Sequence, residues 1–190
     1  YGKRDLLDGL FPYKVRPSSN ALPHRLETGT MNHEGIAGLL GALEYFEWLA
    51  REFARPAPPE VEGSFEGRAL RFKQALTLIR TTERDMSRVM LKVLREIPGL
   101  TLYGPADENR FDERVPTFAF RLQGLAPRAV AEKLGAEGIH VWEGNCYALE
   151  ASRRLGVEES GGFVRAGGVH YNTPDDIDRF AKALHKIARG

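Results

Sequence analysis

Apolar residues recur at three- and four-residue steps over two long stretches of the chain, which is the spacing of one face of an α-helix. The first stretch predicts a helix over 33–54, with Asn32 as its N-cap. The second predicts a longer helix over about 67–97, which ends before Pro98. Between them, three prolines fall within residues 55–59. Because proline cannot continue a helix, this segment predicts a boundary between two structural units.

Shorter elements follow the second helix, and the clearest is the last, where Thr173 is a typical N-cap and Pro174 takes the first helical position. Alternation of apolar and polar residues predicts the strands. In chain order, the predicted elements are strands at 101–103 and 117–122, a helix at 127–137, a strand at 140–142, a strand or pair of strands at 163–171, and the helix after Thr173. This order predicts a small α+β domain with a mostly antiparallel sheet and helices packed on one face.

The beginning of the chain has a different character. Residues 4–10 predict a short helical turn, whereas residues 11–32 contain three prolines and no sustained periodicity. Long segments of this kind in compact domains are usually functional or mobile loops. The chain starts with Tyr1-Gly2, which could close a strand, rather than with Met. We therefore expect a fragment whose N-terminal portion lies outside the sequence.

The composition is ordinary for a globular protein, with 42% hydrophobic and 28% charged residues among 190. The 27 Lys and Arg residues nearly balance the 26 Asp and Glu residues, so the net charge of +1 gives no reason to expect nucleic acid or an anionic membrane as a partner. No apolar run approaches the roughly 20 residues that span a bilayer, and we expect a soluble, cytoplasmic protein. Cys146 is the only cysteine, which excludes an internal disulfide and an all-cysteine metal site.

Three segments carry candidate chemistry, and the first leads directly into the first long helix. Gly29 would let the backbone approach a ligand closely, and Thr30 offers a hydroxyl. The N-terminus of the helix adds free amides and a partial positive charge, so the segment predicts a phosphate-binding corner. The alternative is a tight turn that Asn32 caps.

The second candidate is Arg165, which lies on a predicted strand among small residues. A guanidinium held in this way can form a bidentate contact with a carboxylate, which lysine cannot match. The alternative is a structural ion pair with one of the many Asp and Glu residues.

The third candidate is Cys146, near the predicted strand at 140–142. A cysteine needs a lowered pKa, from a nearby cation or a helix N-terminus, to act as a nucleophile. The neighbouring Glu143 would raise that pKa instead. The alternative is an inert, partly buried residue, and the same segment's His140 is interpreted as structural.

A set of short motifs lies in order along nearly the whole chain. They are Arg25, Glu27, Gly29, Thr30 and Asn32, then Gly35-Ile36-Ala37-Gly38, Ala42 and Tyr45, then Gly138-Ile139 and Val141, then Val164-Arg165, and finally Tyr171-Asn172-Thr173 with Asp176-Ile177-Asp178. This set resembles the class V aminotransferase family. Within that family it is most similar to the cysteine desulfurase-like proteins, which are pyridoxal phosphate (PLP) enzymes of fold type I.

The resemblance implies an α/β parent enzyme that acts on a small amino acid, with cleavage of the C–S bond of cysteine as its reaction. It also implies a homodimer with a shared active site, and a PLP group bound mainly by a preceding portion that carries the catalytic lysine. It divides the chain into the end of the large PLP-binding domain with an active-site loop at 1–32, an interdomain helix and proline-rich linker at 33–59, and a C-terminal small domain at 60–190.

Residue by residue, the resemblance implies that Thr30, preceded by Gly29, reaches across the dimer interface and hydrogen-bonds the PLP phosphate in the partner's site, and that Arg165 holds the substrate α-carboxylate. Cys146 departs from the family pattern, because Tyr147 stands where the persulfide-forming cysteine is expected and Trp142 replaces an arginine. Cys146 is the candidate nucleophile, and no metal site is predicted. Two alternatives remain: PLP chemistry of a transaminase, lyase or epimerase without a catalytic cysteine, or a non-catalytic small or dimerisation domain.

Overall fold

The structure is a computed structural model, and it describes residues 2–27, 29–53, 61 and 63–190. The predicted boundary at 55–59, Tyr1 and Thr28 lie outside the described residues. Within the described ranges, the model holds no helix with the length and apolar character needed to cross a membrane.

Four strands form one antiparallel sheet in the second half of the chain. They are Leu100–Tyr103 (β1), Thr117–Leu122 (β2), Trp142–Gly144 (β3) and Phe163–Gly167 (β4), in the order β1-β2-β4-β3 across the sheet. Side chains alternate between the two faces of a strand. In β2, the buried Phe118, Phe120 and Leu122 therefore lie on one face, and Arg121 lies on the other.

Six α-helices are described. They are Arg4–Asp8 (α1), His33–Phe53 (α2), Gly67–Glu96 (α3), Pro127–Ala136 (α4), Leu149–Arg154 (α5) and Pro174–Arg189 (α6). Short 3-10 turns lie at His24–Leu26, Glu108–Glu113 and Glu158–Ser160.

The main core lies between one face of the sheet and helices α3, α4 and α6. Each of these helices contributes apolar residues at three- and four-residue steps, so each buries a single stripe. The residues buried to 1% exposure or less in this cluster are Leu91, Leu94, Phe118, Phe120, Val130, Leu134, Val164 and Leu184. We call the face of the sheet that packs against these helices the closed face, and the opposite face the open face.

Helix α2 packs against the first half of α3 in a smaller cluster. Leu49 and Ala50 of α2 are buried with Ala75 of α3. The first half of α2 has no such cover, since Leu39 is 63% exposed. Helix α3 therefore contacts α2 with its first half and the sheet with its second half.

The predicted α+β architecture with an antiparallel sheet is confirmed, and so are the two helix caps. The Oδ1 atom of Asn32 accepts the amide hydrogen of Gly35 at 2.8 Å. At the start of α6, the hydroxyl of Thr173 accepts from the amide of Asp176, while the carboxylate of Asp176 accepts from the amide of Thr173. This reciprocal pair is a capping box, which satisfies two amides that a helix start leaves free.

Three details of the predicted elements are wrong. Strand β3 covers 142–144 rather than 140–142, because pairing with β4 defines it and local composition cannot reveal that register. Strand β4 ends at Gly167, because residues 169–172 form a turn in which the side chain of Asn172 accepts the amide hydrogen of Val169. Helix α5 was not predicted, since six residues give too short a pattern to recognise.

Candidate functional site

Arg165 lies at the centre of the open face. Antiparallel pairing sets Ala119 opposite Arg165 on one side, Trp142 opposite it on the other, and Tyr103 opposite Ala119. Paired residues of an antiparallel sheet point to the same face and lie about 5 Å apart. The row across the open face is therefore Tyr103, Ala119, Arg165 and Trp142. It has an aromatic residue at each end, and a small residue and the arginine between them.

Arg165 differs from the arginines around it in having no partner among the residues that the structure describes. Arg121 donates to the backbone carbonyl oxygens of Ser160 and Gly162, and Arg114 donates to those of Pro105 and Thr117. Among the described residues, no carboxylate lies within 4.0 Å of Arg165, and no hydrogen bond involves its side chain. The alternative of a structural ion pair is therefore not observed in this part of the chain, and the guanidinium is available to a ligand.

The loop after β3 holds Cys146 in a tight turn. Cys146 and Tyr147 have φ angles of 52° and 61°, and the amide of Ala148 donates to the carbonyl of Asn145 at 2.8 Å. This is the backbone of a type I′ turn, in which both central residues have positive φ and glycine or asparagine is normally preferred. Two non-glycine residues in this conformation cost about 1 kcal/mol or more each.

The side chain of Asn145 fixes this turn at its base. Its Oδ1 atom accepts the amide hydrogen of Tyr147 at 3.1 Å, and its Nδ2 atom donates to Glu158 at 3.2 Å. Glu158 also accepts from the hydroxyl of Ser152 on α5. These two hydrogen bonds lower the pKa of Glu158, so it remains a carboxylate well into the acid range.

Cys146 is close enough to Arg165 for the two to interact electrostatically, but the thiol is not activated. Burial raises its pKa above the ordinary value, the positive charge of Arg165 opposes that rise, and the negative charge of Glu143 adds to it. The Sγ atom lies 3.7 Å from the carbonyl oxygen of Gly144. Near neutral pH the sulfur is therefore protonated, which makes it a weak nucleophile until a ligand changes its surroundings.

The predicted phosphate corner lies elsewhere in the chain. Gly29 and Thr30 are exposed, and Gly29 has a φ of 153° with no atom within 4 Å of the position that a Cβ would take. Gly29 borders a depression formed with Tyr13 and Glu27, whereas Arg165 and Cys146 line other depressions. The structure thus brings Arg165 and Cys146 together but not Gly29 and Thr30 with them.

This corner suits a phosphate in its chemistry. The open position beside Gly29 lets a ligand reach the backbone closely, and the exposed Thr30 presents a hydroxyl. Helix α2 begins three residues later and directs its partial positive charge toward the corner. These features fit the phosphate group of PLP. The assignment of Gly29 and Thr30 to that phosphate remains a prediction.

Two further groups near the site were missed from the sequence. The hydroxyl of Tyr45 on α2 lies 2.7 Å from Nε2 of His170, and Nδ1 of His170 lies 3.6 Å from Glu83 on α3. These contacts tie α2 to the turn that follows β4, the strand of Arg165. Tyr45 stands 125 residues before His170, so no local pattern could reveal the pair. In the part of the chain that the structure describes, no cluster of three or more His, Cys, Asp or Glu residues could hold a metal ion.

Comparison with known proteins agrees with this architecture. Residues 64–180 match the family model described as aminotransferase class-V. A probable cysteine desulfurase of Mycolicibacterium paratuberculosis is 33% identical over 168 residues, which cover 88% of this chain and 20% of that protein. A cysteine desulfurase of Pectobacterium carotovorum is 30% identical over 201 residues, which cover 100% of this chain and 41% of that protein.

The same fold occurs in a solved structure. The apo structure of a cysteine desulfurase from Thermococcus onnurineus superimposes with a TM-score of 0.68 at 24% identity, over 88% of this chain and 34% of that one. The chain therefore spans less than half the length of the relatives that it matches.

Proposed function

Because this chain belongs to the class V aminotransferase family, we propose that it forms part of a PLP-dependent enzyme that acts on a small amino acid and cleaves the C–S bond of cysteine. The relatives named as cysteine desulfurases support this reaction. Since those relatives are more than twice as long, most contacts with PLP are expected from residues outside this sequence. We also propose that the enzyme is a cytoplasmic homodimer.

The observation that carries the proposal is the guanidinium of Arg165, which has no partner in the described part of the chain and interacts with Cys146. A free arginine on the exposed face of a sheet is suited to a bidentate contact with the α-carboxylate of an amino acid. The neighbouring Ala119 leaves room for that contact, because its side chain is short. A substrate anchored in this way has its remaining groups within reach of the Cys146 loop.

PLP, when bound, supplies the electron sink for negative charge that develops at Cα of the substrate. Across the proposed dimer interface, Gly29 and Thr30 would hold the phosphate of the PLP in the partner's site, through the open backbone and the hydroxyl. Arg165 would bind and orient the substrate by its carboxylate. These three residues position groups, and none of them needs to change its protonation state.

Cys146 is the proposed acceptor of sulfur. Its thiolate would attack the sulfur of cysteine, so that an S–S bond forms as the S–Cβ bond breaks. The electron pair of the broken bond takes up a proton to form a C–H bond of alanine, which balances the proton that the Cys146 thiol gives up, and the transferred sulfur remains on Cys146 as a persulfide. The raised pKa of Cys146 means that the thiol must first lose its proton, and a substrate that displaces it from the carbonyl of Gly144 would assist that loss.

The same raised pKa supports a second candidate function. If the thiol stays protonated, a PLP enzyme with this site would act as a transaminase, lyase or epimerase, for which no protein thiol is needed. Replacement Cys146→Ser in the full-length enzyme separates the two. Desulfurase chemistry requires turnover of cysteine to fall by orders of magnitude, whereas unchanged turnover with an added thiol acceptor would establish the second candidate.

The carboxylate contact is tested by Arg165→Ala in the full-length enzyme. We expect at least tenfold weaker binding of L-alanine, measured by isothermal titration calorimetry, because a charge-assisted bidentate contact is worth about 1.5–3 kcal/mol. Arg51→Ala is the matched control, since Arg51 pairs only with its neighbour Glu52 on the surface of α2. Equal affinities of both variants and the parent protein would refute the role of Arg165. In that case a non-catalytic domain becomes the better description.

A further inference from the structure

Trp142 is the side chain that shares the open face most closely with Arg165. It stands directly opposite Arg165 in the pairing of β3 with β4, and it is 57% exposed. It also lines, together with Cys146, a depression of about 440 Å³ beyond the edge of the sheet. A ligand bound at Arg165 that extends across β3 into this depression would therefore contact the indole ring.

The charged groups around that path differ in sign and in whether they already have a partner. Glu143 and Glu158 border the same depression as Cys146. The nearby arginines 114 and 121 are bound to backbone carbonyl oxygens. Among the described residues of the open face, Arg165 is the arginine without a hydrogen-bond partner, while Arg114 borders the same depression with its donors bound to backbone carbonyl oxygens. A second negative group on a ligand that extends from Arg165 over Trp142 would meet an uncharged indole, and Glu158 borders the depression beyond it.

We propose that Trp142 determines substrate specificity, by restricting the site to amino acids that have one carboxylate and an uncharged, apolar side chain. The carboxylate binds Arg165 and the side chain lies against the indole. The proposal rests on the proposed function, because it takes Arg165 as the carboxylate contact. Apolar contact with the ring favours an uncharged side chain, and the indole offers no positive charge to an acidic one.

The test compares two ligands of similar size, L-norvaline and L-aspartate, by calorimetry with the full-length protein. We expect the parent protein to bind L-norvaline more tightly. In Trp142→Arg, the ratio of the two dissociation constants should shift by about tenfold toward L-aspartate, because the new cation attracts the second carboxylate and the apolar contact is lost. Trp142→Phe should keep the preference of the parent protein, since it keeps an aromatic face.

Thr101→Arg is the matched control. Thr101 is exposed on the same face, where it pairs with Arg121 at the far side of the sheet, so this variant adds the same charge away from Arg165. We expect it to change the ratio less than twofold. A shift in Thr101→Arg as large as in Trp142→Arg would overturn the proposal, because general charge would then explain the result. An unchanged ratio in Trp142→Arg would overturn it as well.

The variant Arg165→Ala keeps the two conclusions separate. If it weakens both ligands while Trp142→Arg leaves their ratio unchanged, the carboxylate contact stands and only the role of Trp142 is refuted. If it weakens neither ligand, the proposed function itself fails. Trp142 is a largely exposed residue of an edge strand, so folding should tolerate its replacement, and equal melting temperatures of the variants verify this.

Discussion

The two faces of the sheet differ in what their side chains contact. On the closed face, Phe118, Phe120 and Val164 are 0% exposed and belong to the apolar cluster that the sheet forms with the helices. On the open face, Arg165 has no partner among the described residues and Trp142 is largely exposed. Because Val164 and Arg165 are adjacent in β4, one strand serves both faces. Substitution of Val164 should therefore affect stability, whereas substitution of the adjacent Arg165 should affect ligand binding.

The largest expected effect comes from breaking the closed face. Phe120→Ala removes a ring that is fully buried and packs edge-on against Phe180 at 6.4 Å between centroids. We expect the free energy of unfolding to fall by about 3–5 kcal/mol, because the substitution leaves a cavity in a close-packed core. Urea denaturation measures this change.

The same experiment with Arg165→Ala sharpens the comparison. Since Arg165 is exposed and forms no ion pair with the described residues, its removal should change the free energy of unfolding by about 0.5 kcal/mol or less. A loss similar to that of Phe120→Ala would mean that Arg165 supports the fold, and the distinction between the faces would then be wrong.

The closed face was largely predictable from the sequence. Its strands alternate, and its helices have apolar residues at regular steps, with a recognisable cap such as Thr173 at the start of α6. Periodicity and capping are local properties, so a single sequence reveals them. Strand β3 was predicted two residues too early, because only its pairing with β4 defines its bounds.

The open face was predictable residue by residue but not as a site. Arg165, Cys146 and Thr30 were each identified as candidates, yet their distances depend on which strands pair. The interaction of Cys146 with Arg165 follows from the pairing of β3 with β4, and the opposition of Trp142 and Arg165 follows from the register. The positive φ angles of Cys146 and Tyr147 had no signal, because the turn lacks the glycine that usually marks it.

The next prediction concerns the backbone strain in the turn that contains Cys146 and Tyr147. Tyr147 is 98% exposed, so its side chain contributes little packing, while its φ of 61° favours glycine. We expect Tyr147→Gly to stabilise the protein by up to about 1 kcal/mol, because the relief of strain exceeds the added freedom of the unfolded chain. Ala148→Gly is the control, since Ala148 has a φ of −106° and should lose stability. Equal effects of the two variants in urea denaturation would show that strain at Tyr147 is negligible.

The smallest expected effect concerns the reactivity of Cys146. Burial and the charge of Glu143 raise the pKa of its thiol, and the charge of Arg165 lowers it. Glu143→Gln should lower that pKa and increase the thiolate fraction at pH 8, whereas Arg165→Ala should raise it and decrease the fraction. The rate of alkylation by iodoacetamide should therefore rise in the first variant and fall in the second, by about twofold to threefold each, because partly exposed charges interact weakly. Asp178→Asn and Lys182→Ala remove an exposed ion pair on α6 and should leave the rate unchanged. Changes of the same sign in Glu143→Gln and Arg165→Ala would mean that access, rather than charge, controls the thiol.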